Sequence, residues 1–396
     1  MSPPAPLPTP VWEDVAGPLP PLTRLEGEVS ADACVIGLGG SGLACISSLL
    51  ARGVDVVALD AGGVAAGAAG RNGGFWLAGI ARFHHEAVRT HGRARAVAIY
   101  RETLAEMDRM VIETPGAVDR CGSLRIADDD AELQDCLVQL REMRTDGLGA
   151  EPYEGPEGKG ILFPYDGTLQ PVERCRILAG DAIAGGARLY IDSPALRVGG
   201  DLVETPHGAV RCRHVFVCVD GSLAGVLPEL SGEVRSARLQ MLATKPVGDV
   251  DIPRPVYARG GLDYWQQIRA GEGLGRVALG GCRDVGGEEE WGAPPLPSER
   301  VQAALDRILS ERLRISAEVT HRWAALVSFT TSGLPVVREV RPGVFAAGGY
   351  SGTGNVVGAV AARALVRLAL DGRHDLADLL DAQTRHSIPP PPHRFS

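Results

Sequence analysis

Lysine is almost absent from this chain: Lys159 and Lys245 are the only two, so nearly all of its positive charge is arginine. That bias reads as the base composition of the source genome rather than as function. Lys+Arg 40 against Asp+Glu 49 gives 40 − 49 = −9, an acidic balance that argues against general binding to nucleic acid or acidic membrane. Cysteine pairs are also lacking. The eight cysteines stand singly, with no CxxC and no zinc-like spacing, so no metal site is expected and a reduced intracellular protein fits best. No uninterrupted apolar run reaches membrane-spanning length. The opening "MSPPAPLPTPVWEDVAGPLPPL" lacks the basic start and apolar stretch of a signal peptide, and a cytoplasmic protein is expected. Neither HExxH on a helix nor a Ser/His/Asp arrangement is present, so hydrolase chemistry has no support.

What the chain does have is length and glycine. Its 396 residues, 45% apolar, imply two or more structural units with sizeable cores. The proline-rich start reads as an extended tail that lies on the surface or docks loosely. "ADACVIGLGGSGLACISSLLARGVDVVALDA" reads as strand, tight turn, helix, strand, which is a βαβ unit. Apolar residues at helical spacing follow from His85 to about Gly149, around a strand-like "GSLRIA". "LQPVERCRILAGDAIAGGARLYIDSPALRV" reads as helix then strand, and "GAVRCRHVFVCVDG" as a hairpin-like pair ending in a buried strand. Residues 240–282 look β-rich, "SERVQAALDRILSERL" is an amphipathic helix, and "GVFAAGGYSGTGNVVGAVAARALVRLAL" is strand, glycine turn, long helix. The fold class expected is α/β with two domains. One is a discontinuous Rossmann-like cofactor domain (30–85, 155–240 and 325–375). The other is a β-rich substrate domain carrying helices (86–154 and 241–324). A proline-rich extension (1–29) and a C-terminal tail (376–396) flank them.

Three glycine-rich stretches carry the chemistry. Gly37, Gly39 and Gly42 form G-x-G-x-x-G between a strand and a helix. There the first glycine makes the turn, the second lets backbone reach a pyrophosphate, and the third packs helix on strand. Gly40 and Ser41 complete that turn, whose helix start offers free N–H groups and a positive dipole end. Asp60, followed by Ala61, ends the second strand 18 residues after Gly42, where a carboxylate accepts ribose hydroxyls. The second stretch is "GAAGRNGGFW" at 67–76, with four glycines in ten residues and Arg71 and Asn72 among them. The third, "AAGGYSGTGN", contains Gly348, Gly349, Ser351, Gly352, Thr353 and Gly354. A flavin needs backbone close to its ring edges as well as a pyrophosphate cradle, and two extra glycine-rich segments suit that demand.

These stretches, together with "LQP" at 169–171, "LQMLATKP" at 239–246, "VALGG" at 277–281 and "LPVV" before "PGVFAAGGYSGTG", resemble the D-amino-acid-oxidase-type superfamily of FAD oxidoreductases. Within it the likeness is greatest to the γ-glutamylputrescine oxidase-like branch, whose members carry "GASGRNGG". The likeness runs over about 25–375. It implies that Gly70 to Gly74 pass beside the flavin, that Arg71 points toward the flavin or its phosphates, and that Phe75 or Trp76 lines the adjoining pocket. The chain also departs from the branch. Relatives often have G-H-G where this chain has Gly352-Thr353-Gly354, and an acidic residue where it has Ser332 before "GLP". Covalent-flavin members place a cysteine upstream of the threonine stretch. "RWAALVSFTTSG" has none, so non-covalent FAD is expected, although His84-His85 are conceivable attachment points.

On the substrate side, alternation in "LDYWQQI" puts Tyr264, Gln266 and Ile268 on one face of a strand and Trp265 and Gln267 on the other. Tyr264 is a candidate to roof the pocket, with structural core as its rival reading. Arg322 in "HRWAAL" is a candidate carboxylate binder, with a surface ion pair as its rival. His321 is a weaker candidate for touching substrate. The resemblance implies a FAD-dependent oxidoreductase acting on a small-molecule amine or amino acid, with O2 or another acceptor reoxidising the flavin. A dehydrogenase or tailoring enzyme, and a flavin-binding protein without turnover, are the alternatives. Nothing in the sequence sets the oligomeric state.

Overall fold

The computed structural model describes residues 7–248, 250–269 and 275–383. Residues 384–396 of the expected C-terminal tail, and 1–6 of the N-terminal one, lie outside that range. The strands that position the site are, in chain order, Ala33–Ile36 (β1), Val56–Leu59 (β2), His214–Val217 (β3), Val234–Val247 (β4), Asp263–Arg269 (β5), Gly275–Gly280 (β6), Val319–Thr330 (β7) and Val344–Gly348 (β8). The helices packed around them include Gly40–Leu50 (α1), Arg93–Glu113 (α2), Pro171–Ala184 (α3), Glu299–Arg307 (α4) and Gly354–Asp371 (α5).

A six-stranded sheet has the order Arg188–Tyr190, β2, β1, β3, β8, Val336–Arg341. All its pairs are parallel except the last. β1 and β2 are buried along their whole length, as continuous apolar runs in a helix-covered parallel sheet must be. α1, α3 and α5 pack against it in one apolar core with Val35, Ala58 and Phe216. The α1–α5 contact is close because Gly358 has no side chain: a Cβ there would stand 3.3 Å from the Ser41 side chain.

An eight-stranded sheet runs β7, β4, β6, β5, Val256–Ala258, Ser123–Ile126, Gly158–Phe163, Glu151–Gly155. One face packs Leu242, Trp265 and Leu279 against Val301 and Leu305 of α4. The opposite face carries Met241, Tyr264 and Trp323. The α/β fold is thus present, built from one largely parallel and one largely antiparallel sheet.

Two readings change, the hairpin and the loosely docked tail. The hairpin expected in "GAVRCRHVFVCVDG" does not form: Gly208–Arg211 pairs with Gly27–Ser30 and Leu202–Glu204 in a small separate sheet, whereas β3 pairs with β1 and β8. The segment 155–240 starts inside the eight-stranded sheet, through Gly158–Phe163, and β4 and β7 run across the boundaries at 240/241 and 324/325. The N-terminal tail does not dock loosely. Val11–Asp14 forms one 3₁₀ turn whose Val11 and Trp12 are buried in the main core. Burying two large apolar side chains contributes roughly 1.5–3 kcal/mol each before ordering entropy, enough to hold a short segment.

Candidate active site

The first glycine turn is built on close approach. Gly37 has φ +108°, and a Cβ there would fall 2.5 Å from the Cys218 carbonyl. One at Gly42 would fall 1.9 Å from the Gly37 carbonyl, so helix and strand touch backbone to backbone. Gly39 faces the second glycine stretch, its absent Cβ 3.0 Å from that of Ala69. Among the described residues no protein acceptor takes the N–H groups of Gly40, Ser41 or Gly42. Asp60 closes the turn from below: Oδ2 accepts from Leu38 N at 2.8 Å and Oδ1 from Gly62 N at 2.8 Å. Burial raises its pKa against those bonds, and Ala61 beyond it is exposed.

In the second stretch, Arg71 is 7% exposed and its guanidinium meets backbone. Nε donates to Ala324 O at 2.8 Å and Nη2 to Pro8 O at 2.6 Å, while its own carbonyl accepts from Trp323 Nε1 at 2.8 Å. Nε and Nη2 are thus held by backbone carbonyls, which the expectation of a guanidinium aimed at flavin, phosphate or substrate did not include. Two carbonyls from segments distant in sequence claim those nitrogens. Asn72 holds both ends of the glycine run. Nδ2 donates to Ala69 O at 2.8 Å, Oδ1 accepts from Gly74 N at 2.8 Å, and its carbonyl accepts from Trp12 Nε1 at 2.8 Å. Its amide also pairs at 3.1 Å with that of Asn355, at the start of α5.

Gly73 and Gly74 lie under β5. A Cβ on Gly73 would stand 3.0 Å from the Tyr264 ring; one on Gly74, where φ is +68°, would stand 2.6 Å from Gln266 Nε2 and 2.8 Å from Trp12. Gln266 donates to the Gly73 carbonyl. Tyr264 meets Phe75 edge-on at 5.8 Å and 83°, and burial raises its pKa. Trp76, by contrast, is fully buried among Met107, Met110 and Leu169.

Asp220, which the sequence reading passed over, organises the third stretch. Its Oδ1 accepts from Gly349 N at 2.8 Å and Tyr350 N at 3.0 Å, and Oδ2 from Ser328 N at 3.1 Å. Burial pushes its pKa up to about 6. The signal was present as an acid directly after the buried strand in "VFVCVDG". Gly348 packs on Leu223, whose Cδ2 lies 2.8 Å from where its Cβ would be. Ser351 adopts φ +53° and its Oγ accepts from Thr330 N at 3.2 Å. A Cβ on Gly352, with φ +96°, would meet nothing within 4 Å, so this turn faces open space. Thr353 caps the turn through Oγ1 to Tyr350 O at 2.9 Å, and Gly354 begins α5 against the Tyr350 ring.

The fold thus brings the three glycine stretches and the Tyr264–Gln266 face of β5 together. It does not bring Arg322 with them. Neighbours along β7 point to opposite faces, so with Trp323 on Arg71, Arg322 faces α4, where Nη2 pairs with Asp306 at 2.8 Å and Nη1 with Gln302 at 2.8 Å. The ion-pair reading holds there. His321 lies 3.4 Å from Asp14. His84 and His85 are paired with Asp146 at 2.7 Å and Asp135 at 3.2 Å. Among the described residues no cluster of His, Cys, Asp or Glu suits a metal ion. No helix among them is long and apolar enough to cross a membrane.

A profile of the DAO family, described as FAD dependent oxidoreductase, matches residues 32–368. The probable oxidoreductase OrdL of Rhizobium meliloti (strain 1021) is 26% identical over 93% of this chain and 90% of its own length. Gamma-glutamylputrescine oxidoreductase of Escherichia coli (strain K12) is 24% identical over 88% and 85%. Among solved structures, glycine oxidase from Bacillus cereus ATCC 14579 superposes with TM-score 0.72 at 17% identity, over 90% of this chain and 100% of that one, a likeness of fold. The first glycine turn fits the dinucleotide of that family: it is a cradle a Cβ would fill, and its helix-start N–H groups await an acceptor.

Proposed function

The chain belongs to the DAO family of FAD-dependent oxidoreductases, and from that premise we propose that it oxidises the C–N bond of a small amine or amino acid. Bound FAD supplies a two-electron acceptor for the hydride leaving the carbon next to nitrogen. The chain's own residues supply position and dryness. Three glycine stretches bring bare backbone to one place, and Gly73 lies directly under the Tyr264 ring with Phe75 beside it. That aromatic wall is the observation that carries the reading. A wall without a charged side chain favours the neutral amine and holds it against the acceptor, and such chemistry needs orientation and desolvation more than a strong base. Gly37, Gly39–Gly42 and Asp60 hold the dinucleotide end, Gly348–Gly354 faces it from α5, and Tyr264 borders substrate. The relative acting on γ-glutamylputrescine supports an amine.

O2 is proposed as acceptor. The cofactor is proposed to be non-covalent, since both candidate histidines are paired with carboxylates. Residues 30–85, 155–240 and 325–375 are proposed as the cofactor domain and 86–154 with 241–324 as the substrate domain, the long strands β4 and β7 being shared at their junction.

The test is a screen of amines, N-methyl amino acids and D-amino acids against the purified yellow protein without oxygen. Flavin bleaching by one of them, followed by reoxidation and peroxide in air, is expected. Flavin that stays reduced in air makes the enzyme a dehydrogenase, and bleaching by none removes the amine reading.

A further inference from the structure

Arg174 stands in the second turn of α3 and is 2% exposed, yet its guanidinium has no acceptor among the described residues. Nε and Nη2 are fully enclosed without a hydrogen-bond partner. Nη1 lies 3.8 Å from the position a Cβ would take on Gly40, the first residue of α1. Arg363 holds the nearby carboxylates, Glu106 at 2.9 Å and Glu113 Oε1 at 2.6 Å, and Glu113 Oε2 is buried without a hydrogen bond to Arg174. Burial lowers the pKa of Arg174, with Cys175, Glu113 and Glu106 only opposing it from a distance. A buried cation without a partner is costly to a fold. The same spot holds the undonated N–H groups of Gly40, Ser41 and Gly42, at the positive end of an 11-residue helix.

We infer that Arg174 is the charge partner of an anion seated at the N-terminus of α1, and, resting on the FAD reading above, that this anion is the cofactor's diphosphate. The helix-start N–H groups take oxygens on one side and Nη1, the guanidinium nitrogen nearest Gly40, takes them on the other. Arg71, the arginine that the sequence places nearest the cofactor, is committed to carbonyls, which leaves Arg174 to supply positive charge from the protein.

The experiment titrates apoprotein of the wild type, Arg174→Met and Arg174→Lys with FAD, ADP, adenosine and inorganic phosphate, read by flavin fluorescence and calorimetry. Arg174→Met should weaken both FAD and ADP at least tenfold and leave adenosine unchanged. Arg174→Lys should recover part of the loss, since it keeps the charge without the guanidinium. Apo Arg174→Met should melt no lower than apo wild type, because the substitution removes an unpaired buried charge. FAD and ADP bound as tightly by Arg174→Met as by wild type overturn the assignment. So does an apoprotein that melts lower with its FAD affinity intact, the mark of a structural pair with Glu113. Inorganic phosphate that stabilises wild type but not Arg174→Met, with FAD affinity equal in both, makes the anion a free phosphate and overturns the diphosphate. A wild type that binds no FAD overturns the cofactor reading itself, and is thereby distinguished from failure of Arg174 alone.

Discussion

At the scale of single residues, the site is held by groups whose partners are backbone. Arg71 joins three segments distant in sequence: the tail at Pro8, the glycine run and β7 at Ala324. Arg71→Ala removes two charge-assisted hydrogen bonds and leaves the buried Ala324 carbonyl and the half-buried Pro8 carbonyl without that donor, a loss of about 1.5–3 kcal/mol per bond. The expected outcome is a lower melting temperature by scanning fluorimetry and weaker FAD retention on a desalting column. In the fraction that keeps its flavin, the anaerobic reduction rate should be near that of wild type. A protein of unchanged stability and FAD content that reduces tenfold more slowly would instead put the guanidinium at the chemistry. The motif was legible in the sequence, but the direction of its side chain was not. Spacing says that an arginine sits among glycines; it does not say which carbonyls arrive beside it from 63 and 253 residues away.

At the scale of elements, one acid holds the first glycine turn and another the last, Asp60 and Asp220. Asp220 gathers the N–H groups of Gly349, Tyr350 and Ser328, tying β3, β8 and β7 at one point. Burial pushes its pKa up to about 6 from the usual 3.8. Between those values the native chain holds a proton that the unfolded chain has released. The group's contribution to stability is therefore greatest below pH 4 and falls as pH rises through 6, by roughly 3 kcal/mol for a shift of about two units. Asp220→Asn cannot titrate. The stability of apo wild type minus that of apo Asp220→Asn, from urea melts at pH 4, 5, 6 and 7, should decline across that range and level off above it. A flat difference would mean the carboxyl is ionised throughout. Elements were the most legible level: β1, α1, β2, α3 and α5 fall where apolar spacing and glycine place them. The misread hairpin shows the limit, because a short apolar run fits either of two sheets, and only partners elsewhere in the chain choose between them.

At the scale of the whole molecule, β4 and β7 pair along nearly their full length, from Val234↔Thr330 to Thr244↔Val319. One end of that ribbon packs on the last glycine turn, where a Cβ on Gly349 would stand 2.8 Å from Thr330 and 3.1 Å from Val234. Its outer face carries α4. The cofactor should therefore couple to the stability of the entire chain. Removing FAD is expected to lower the melting temperature, and restoring it at a hundred times its dissociation constant should return about 2.7 kcal/mol. Acid denaturation of the yellow protein should release all colour into the supernatant. Colour remaining in the precipitate would mean a covalent link.

The sequence by itself determined the class of fold, the dinucleotide turn at Gly37–Gly42 and the family. These rest on local rules, in which a glycine spacing between a strand and a helix has few physical solutions. Only the tertiary structure decided that Trp12 is core, that Arg71 and Asn72 bind backbone, that Arg322 faces α4, and that Asp220 and Arg174 stand at the turns. Each of those outcomes depends on which atoms arrive from distant segments to satisfy a buried charge or N–H group. No local pattern carries that information, because a buried polar group takes its role from its partners rather than from its neighbours in sequence.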